Sequence, residues 1–290
     1  MGMSVDANRT RIERARDDVG RAGGGLMRRL ARTWDHWLYW LYERRLLAQV
    51  TAGGKLPRHV GVIMDGNRRF ARAFGMDAAS GHDHGAGKAR DVLEWALELG
   101  ITHMTLWGFS SDNRGRPPEE VAHLHSLFTK QAREFLTDER LIAHRVQVRV
   151  IGDIDDFPEP TKQALRELEA STAHFDRLHL HVALGYGGRE EIVAAVKRLL
   201  HEHADAGDDL RAAADNLSID EIQRHLYTAG TPDPDFVIRT SGEVRLSGFL
   251  LWQTAYSEFY FCDAFWPEFR KIDFLRAIRS FQQRERRFGR

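Results

Sequence analysis

The chain has 290 residues, enough for one large domain with a full core or for two small ones. Lys+Arg and Asp+Glu balance at 42 each, so no global field points to nucleic acid, and any anion site must be built from local basic residues. Cys262 is the only cysteine, which excludes an intrachain disulfide and a CxxC zinc site and fits a reducing cytoplasm.

Residues 1–25 are polar and charged, end in Gly23-Gly24-Gly25, and read as a disordered tail. The segment lacks the apolar core of a signal peptide, and no run in the chain approaches the ~20 apolar residues needed to span a bilayer. A cytoplasmic protein is expected. Residues 26–50 spread Trp34, Trp37, Leu38, Trp40, Leu41, Leu46 and Leu47 among Arg28, Arg29, Arg32, Arg44 and Arg45. This pattern predicts a basic amphipathic helix. Its apolar face either packs on the domain body or makes a peripheral membrane contact.

After a linker at 51–57, short apolar runs alternate with helical segments. Strands are predicted at 59–65, 103–110, 146–152, 178–185 and 235–240, with a further candidate in FLLWQ, 249–253. Helical spacing joins Val92, Leu93, Ala96 and Leu99 before a stop at Gly100, and it recurs over 119–136 and 190–201. The alternation predicts an α/β fold, a single domain over 56–290 with a central, mostly parallel six-stranded sheet flanked by helices. Ligands of such sheets bind outside the carboxyl ends of the strands.

Three polar loops follow predicted strands. Asp65-Gly66-Asn67-Arg68-Arg69 closes the first and opens a helix, an arrangement suited to anions. Ser110-Ser111-Asp112-Asn113-Arg114-Gly115-Arg116 follows the second, and Arg239-Thr240-Ser241-Gly242-Glu243-Val244-Arg245-Leu246-Ser247-Gly248 a late one. Converging on one cleft, they would present six arginines to a ligand with more than one phosphate. No GxxxxGK[ST] run supports a P-loop site. A diphosphate beside a carboxylate suggests Mg²⁺, with Asp65 and Glu258 as candidate ligands.

The segment His59 to Ala71 closely resembles the signature of the cis-prenyltransferases, the undecaprenyl diphosphate synthase family. So do Gly81-His82, Phe109 to Asn113, Gly185-Tyr-Gly-Gly-Arg189-Glu190, Ile238 to Ser247, Trp266-Pro267 and the terminal Arg284 to Gly289. The likeness runs in order from about Leu56 to the C-terminus. It implies an apolar prenyl tunnel and a Mg²⁺-dependent enzyme that adds isopentenyl diphosphate to an allylic diphosphate, giving a Z-configured polyprenyl diphosphate of short to medium length. By resemblance, Asp65 is the catalytic, metal-linked aspartate. Gly66, Asn67, Arg68, Arg69 and Phe70, with His82, hold the allylic diphosphate. Asn113 takes part in proton removal, with Ser110, Ser111, Asp112, Arg114 and Arg116 around it. Arg239, Arg245, Leu246 and Ser247 form the isopentenyl diphosphate site. Glu258 is the second metal-linked carboxylate, reaching the neighbouring subunit's site in a homodimer, and Arg287 and Gly289 touch the diphosphate across it.

The sequence also departs from the family. Met76 to Ser80 lack the arginine common before the Gly-His pair, and Arg114 stands where a tryptophan is usual. Gly185 and Gly248 replace asparagines of long-chain bacterial members and look like the actinobacterial branch that makes Z,E-farnesyl diphosphate. Gly108 lies where that branch often carries a leucine closing the tunnel. An inactive partner subunit and a synthase of branched products remain as alternative readings. Asp155-Asp156-Phe-Pro-Glu159 imitates the DDxxD motif of trans-prenyltransferases, but Pro158 and Pro160 are expected to break the helix that motif needs. His179-x-His181 can share a strand face without an evident third ligand. The aromatic stretch from Trp252 to Trp266 is read as core and dimer packing.

Overall fold

A strand covered on both faces has no side facing water, and the run His59 to Ile63 is buried at all five positions. The computed structural model describes residues 39–284. Its strands are β1 (His59–Ile63), β2 (His103–Trp107), β3 (Val146–Ile151), β4 (Leu178–Ala183), β5 (Phe236–Arg239) and β6 (Glu258–Phe261). They form one sheet of order β3-β4-β2-β1-β5-β6, parallel throughout, so the expected α/β architecture is the one observed.

The sixth strand lies elsewhere than the sequence suggested. Phe249 to Gln253 is a run of turns, with Thr254 N donating to Leu250 O at 2.9 Å, and Leu250 sits at φ 44. The run is apolar because Phe249 and Leu250 are buried, not because it is a strand. The strand is Glu258–Phe261, inside the aromatic stretch.

Residues 39–52 form helix α1, a unit by itself, on which Tyr39, Trp40, Leu41 and Tyr42 are exposed and the Arg44 guanidinium lies 4.8 Å from the Trp40 ring centre. The expected tail and the first half of the expected amphipathic helix lie outside the described residues. Among those residues no helix is long and apolar enough to cross a membrane. The second unit continues with α2 (Asn67–Ala73), α3 (Ala78–Glu98), α4 (Pro118–Thr137), α5 (Glu139–Ala143), α6 (Glu159–Thr172), α7 (Gly188–Ala206), α8 (Leu210–Asp215), α9 (Ile219–His225) and α10 (Lys271–Gln283). As expected, Asp155 and Asp156 lie in a turn and not on a helix; the helix α6 begins only at Glu159, with Pro158 as its cap and Pro160 in its first turn, where proline is tolerated.

Residues level in a parallel register share a face. On one face, Leu106, Val148, Val150, Leu180 and Val182 meet α3, α4 and α6 around an apolar cavity of about 160 Å³. A cavity with so largely apolar a lining suits an apolar ligand. On the other, Ile63, Ile151, Ala183 and Val237 pack with Tyr186, Phe249 and Leu250 at the carboxyl end. The amino half of that face carries His59, His103, His179 and His181. The His103 and His179 rings stack at 4.7 Å, and His181 Nδ1 is buried without a partner. His59 Nδ1 faces the Pro232 carbonyl at 2.6 Å and must donate to it, leaving Nε2 to accept from Thr105 Oγ1 at 2.8 Å. Burial is the main cause that lowers His59 and His103 to about 4 and His181 to about 3. Among the described residues no group of three His, Cys, Asp or Glu side chains is placed to hold a metal ion.

Candidate active site

The carboxyl ends of β1 and β5 lie side by side because Ile63 pairs with Arg239. Asp65, two residues past β1, therefore meets a residue 174 positions away. Arg239 Nη2 donates to Asp65 Oδ2 at 2.8 Å, and Arg69 Nη2 reaches the same oxygen at 3.2 Å. Thr240 Oγ1 donates to the Asp65 carbonyl at 2.6 Å and accepts from Asp65 N at 3.0 Å. Burial works against ionisation of Asp65, but the Arg239 hydrogen bond and charge, then Ser241 and Arg69, hold its carboxyl below the usual range.

Arg239 is buried, donates to the Arg245 carbonyl and to Ser247 Oγ (2.9 Å), and keeps an Nε with no partner. A buried guanidinium with a free donor beside a cleft calls for an anion. Arg69 is held by Glu243 Oε1 at 3.1 Å and by Ser241, and Glu243 also pairs with Arg245. These two basic loops thus meet, and Arg69, Arg239 and Arg245 each already have a carboxylate or carbonyl partner.

Gly66 sits at φ 109, a conformation glycine adopts freely, and an added Cβ would press on Phe265 at 2.9 Å. From it α2 carries Arg68, Arg69 and Arg72, which line one pocket with Asp65, His82 and Arg116. Arg72 escaped the sequence reading, although it follows Arg68 at i+4 and so shares its helix face. Glu120 escaped it too. This buried carboxylate faces His82 Nε2 at 3.1 Å, Arg116 Nη1 at 3.0 Å and Arg68 Nε at 3.7 Å. Burial raises its pKa, but the His82 hydrogen bond and the charges of Arg116 and Arg68 outweigh it, and Glu120 titrates below the usual range.

The anion pocket and the apolar cavity share Met64, Asn67 and His82. The buried Asn67 Oδ1 has no partner at that junction. Gly108 lines the cavity, with Leu184 Cδ2 3.2 Å from the place of an added Cβ.

Other expected residues lie around this centre or apart from it. Phe70 is buried against Phe74 and His84 and turns away from the cleft. Ser110 and Asn113 form a reciprocal cap in which Asn113 Oδ1 accepts from Ser110 N at 3.0 Å. Ser111 and Asp112 border a second polar pocket with Ser247 and Gly248. Leu246 is half-buried, and its carbonyl accepts from Phe249 N at 3.1 Å.

Arg114 is not aimed at the anion pocket. It donates to the Asp153 carbonyl at 2.8 Å and pairs with Asp156 at 2.9 Å, which accounts for the acidic turn that imitated a metal motif. Gly185 lies beside it at φ 59, where an added Cβ would collide with that same carbonyl. Glu258 is level with Val60, roughly 16 Å down the sheet from Asp65, and bonds to Arg284 at 2.7 Å. Within one chain the two carboxylates cannot share an ion. Arg287 and Gly289 lie outside the described residues.

Residues 63–289 match the family model of undecaprenyl diphosphate synthase. The chain is 58% identical over 253 residues to an isoprenyl transferase of Thermus thermophilus, covering 87% of this chain and 96% of that one. It is 50% identical over 253 residues to a (2Z,6E)-farnesyl diphosphate synthase of Thermobifida fusca, covering 87% and 97%. The crystal structure of lavandulyl diphosphate synthase from Lavandula x intermedia, in complex with dimethylallyl diphosphate, superposes with a TM-score of 0.74 at 32% identity, covering 81% of this chain and 99% of that one.

Proposed function

The chain belongs to the undecaprenyl diphosphate synthase family of prenyltransferases, and from that premise we propose that it elongates an allylic diphosphate with isopentenyl diphosphate to a Z-configured polyprenyl diphosphate. One observation carries the reading: an arginine-rich pocket around Asp65 opens, through Met64, Asn67 and His82, onto a largely apolar cavity. That is a place for a molecule with a diphosphate head and a hydrocarbon tail.

In this reading Arg68, Arg69, Arg72 and His82 hold the allylic diphosphate, and Arg239, Arg245 and Ser247 hold isopentenyl diphosphate. The allylic carbon–oxygen bond breaks, and its electron pair leaves with the diphosphate. The double bond of isopentenyl diphosphate attacks the freed carbon, and loss of an adjacent proton forms the new double bond. Asn113 Oδ1 is engaged by Ser110 N, so its amide N–H groups orient a phosphate while a phosphate oxygen takes the proton. Preorganised charge and positioning supply the catalysis.

Mg²⁺ fits the donor set. Asp65 is ionised and half-buried beside the anion pocket, and this cation is commonly held by one or two carboxylates and substrate phosphates. Bound there, it would add positive charge against the departing diphosphate. The remote position of Glu258 supports a homodimer in which it serves the neighbouring subunit. The exposed aromatic start of α1, with Arg44 and Arg45, supports a peripheral membrane contact of a cytoplasmic enzyme.

Purified protein, Mg²⁺ and labelled isopentenyl diphosphate, offered with dimethylallyl, geranyl or farnesyl diphosphate, test the reading. A linear Z-product is expected, lost with chelator and reduced at least about 100-fold by Asp65→Ala. Absence of turnover with every starter would favour an inactive partner subunit, and a branched product the altered-regiochemistry alternative.

A further inference from the structure

A Cβ on a residue with positive φ crowds the neighbouring backbone, and turns of that shape ordinarily carry glycine, asparagine or aspartate. Among the described residues four positions other than glycine have positive φ, and Ser241, Ser247 and Leu250 place three of them in the single loop after β5. Ser241, at φ 80, stands directly before Gly242 at φ 74, so the turn calls for two residues of glycine-like freedom and has one. The turn is nevertheless held firmly, with Ser241 N donating to Ala264 O and Gly242 N to Cys262 O, both at 2.8 Å. A side chain kept despite backbone strain beside a cleft points to a use for that side chain.

The use is visible around Arg69. Its guanidinium stands between two carboxylates, 3.2 Å from Asp65 Oδ2 and 3.1 Å from Glu243 Oε1, and could close on either. Ser241, which is buried, grips it from a third side: Arg69 Nη2 donates to Ser241 Oγ at 2.5 Å and Nη1 to the Ser241 carbonyl at 3.3 Å. A guanidinium offers no acceptor, so the hydroxyl hydrogen is directed elsewhere, and the Asp65 carboxylate takes it. One neutral hydroxyl therefore bonds to both the cation and the carboxylate. Glycine in its place would relax the turn and keep the carbonyl contact, but it would lose both hydroxyl bonds.

We propose that Ser241 is a positioning residue, held in a conformation suited to glycine because its hydroxyl fixes Arg69 and Asp65 relative to each other for the allylic diphosphate. The Arg239–Ser247 side does not depend on this hydroxyl, since Arg239 is held by Asp65, Ser247 and the Arg245 carbonyl, and Arg245 by Glu243. The inference rests on the assignment of the allylic diphosphate to Arg69 and its helix.

The test compares Ser241→Ala, which keeps the strain and removes the hydroxyl, with Ser241→Gly, which removes both, and combines Ser241→Ala with Arg69→Ala. Calorimetry without isopentenyl diphosphate measures affinity for the allylic diphosphate that the wild type turns over. Steady-state kinetics give the KM for isopentenyl diphosphate, and thermal melting reports folding. Both single variants should weaken allylic affinity about fivefold, with the isopentenyl KM unchanged. Ser241→Gly should melt above Ser241→Ala, so the loss of binding does not follow stability. In the Arg69→Ala background, Ser241→Ala should weaken affinity less than about twofold, since the group it acts through is gone. Four results overturn the proposal: wild-type allylic affinity in either single variant, an equal rise in the isopentenyl KM, Ser241→Gly melting no higher than Ser241→Ala, or the full loss persisting without Arg69. If Arg69→Ala by itself binds the allylic diphosphate as the wild type does, the substrate assignment falls, and the proposal with it.

Discussion

At the scale of single side chains, the site is a set of arginines already engaged: Arg239 with Asp65, Arg69 with Asp65 and Glu243, and Arg116 with Glu120. A diphosphate must compete with these carboxylates, while they hold the guanidinium groups in place at little further ordering cost. Arg72 has no such shared anchor in the pocket and is exposed. Arg72→Ala is expected to raise the KM for the allylic diphosphate about tenfold, or ~1.4 kcal/mol, with kcat nearly unchanged. Gly108→Leu would place a branched side chain against Leu184 inside the cavity, and a shift to shorter products by chromatography is the expected outcome. Asp65, Arg69, Arg239 and Arg245 were legible because each follows a recognisable strand and carries charge where a parallel sheet binds ligands. Arg114 shared that signature but points to Asp153, since the side-chain direction within a turn is set by acids 39 and 42 residues away. Glu120 was not legible, because a carboxylate in a helical pattern ordinarily faces water.

At the scale of elements, alternation and helical spacing revealed five strands and the helices α3, α4 and α7. They did not reveal β6, whose four residues are all half-buried and aromatic-rich, as an edge strand under partial cover would be. The FLLWQ run misled because a short apolar run has no period that separates strand from buried turn. The contact of α2 with α3 is closer than any pattern suggests. A Cβ on Gly81 would collide with the backbone carbonyl of Asn67, which cannot rotate away. Gly81→Ala is therefore expected to push α3 off α2, destabilise the fold by about 1–3 kcal/mol and weaken allylic diphosphate binding, measured by denaturant unfolding and by KM.

At the scale of the whole molecule, the histidine-lined half of the sheet makes stability depend on acid. His59 and His103 titrate at about 4 and His181 at about 3, against 6.5 in the unfolded chain. The unfolded chain takes up protons first, so stability present above pH 6.5 is lost as pH falls toward 4. The melting temperature is expected to drop by at least about 5 °C between pH 7.5 and pH 5, and His181→Leu should make that drop shallower. The bond from Arg239 to Asp65 has a consequence of another kind. The first half of the diphosphate pocket leaves the ribosome early, but Asp65 also depends on Thr240 and on Trp266, whose N–H donates to the Asp65 carbonyl at 3.0 Å and whose indole donates to the Gly85 carbonyl at 2.7 Å. Contacts of such separation form only after long stretches of chain have been closed. A nascent chain short of Trp266 has the residues to attract a diphosphate but not the frame to hold it, so synthesis must pass Trp266 before the enzyme can act.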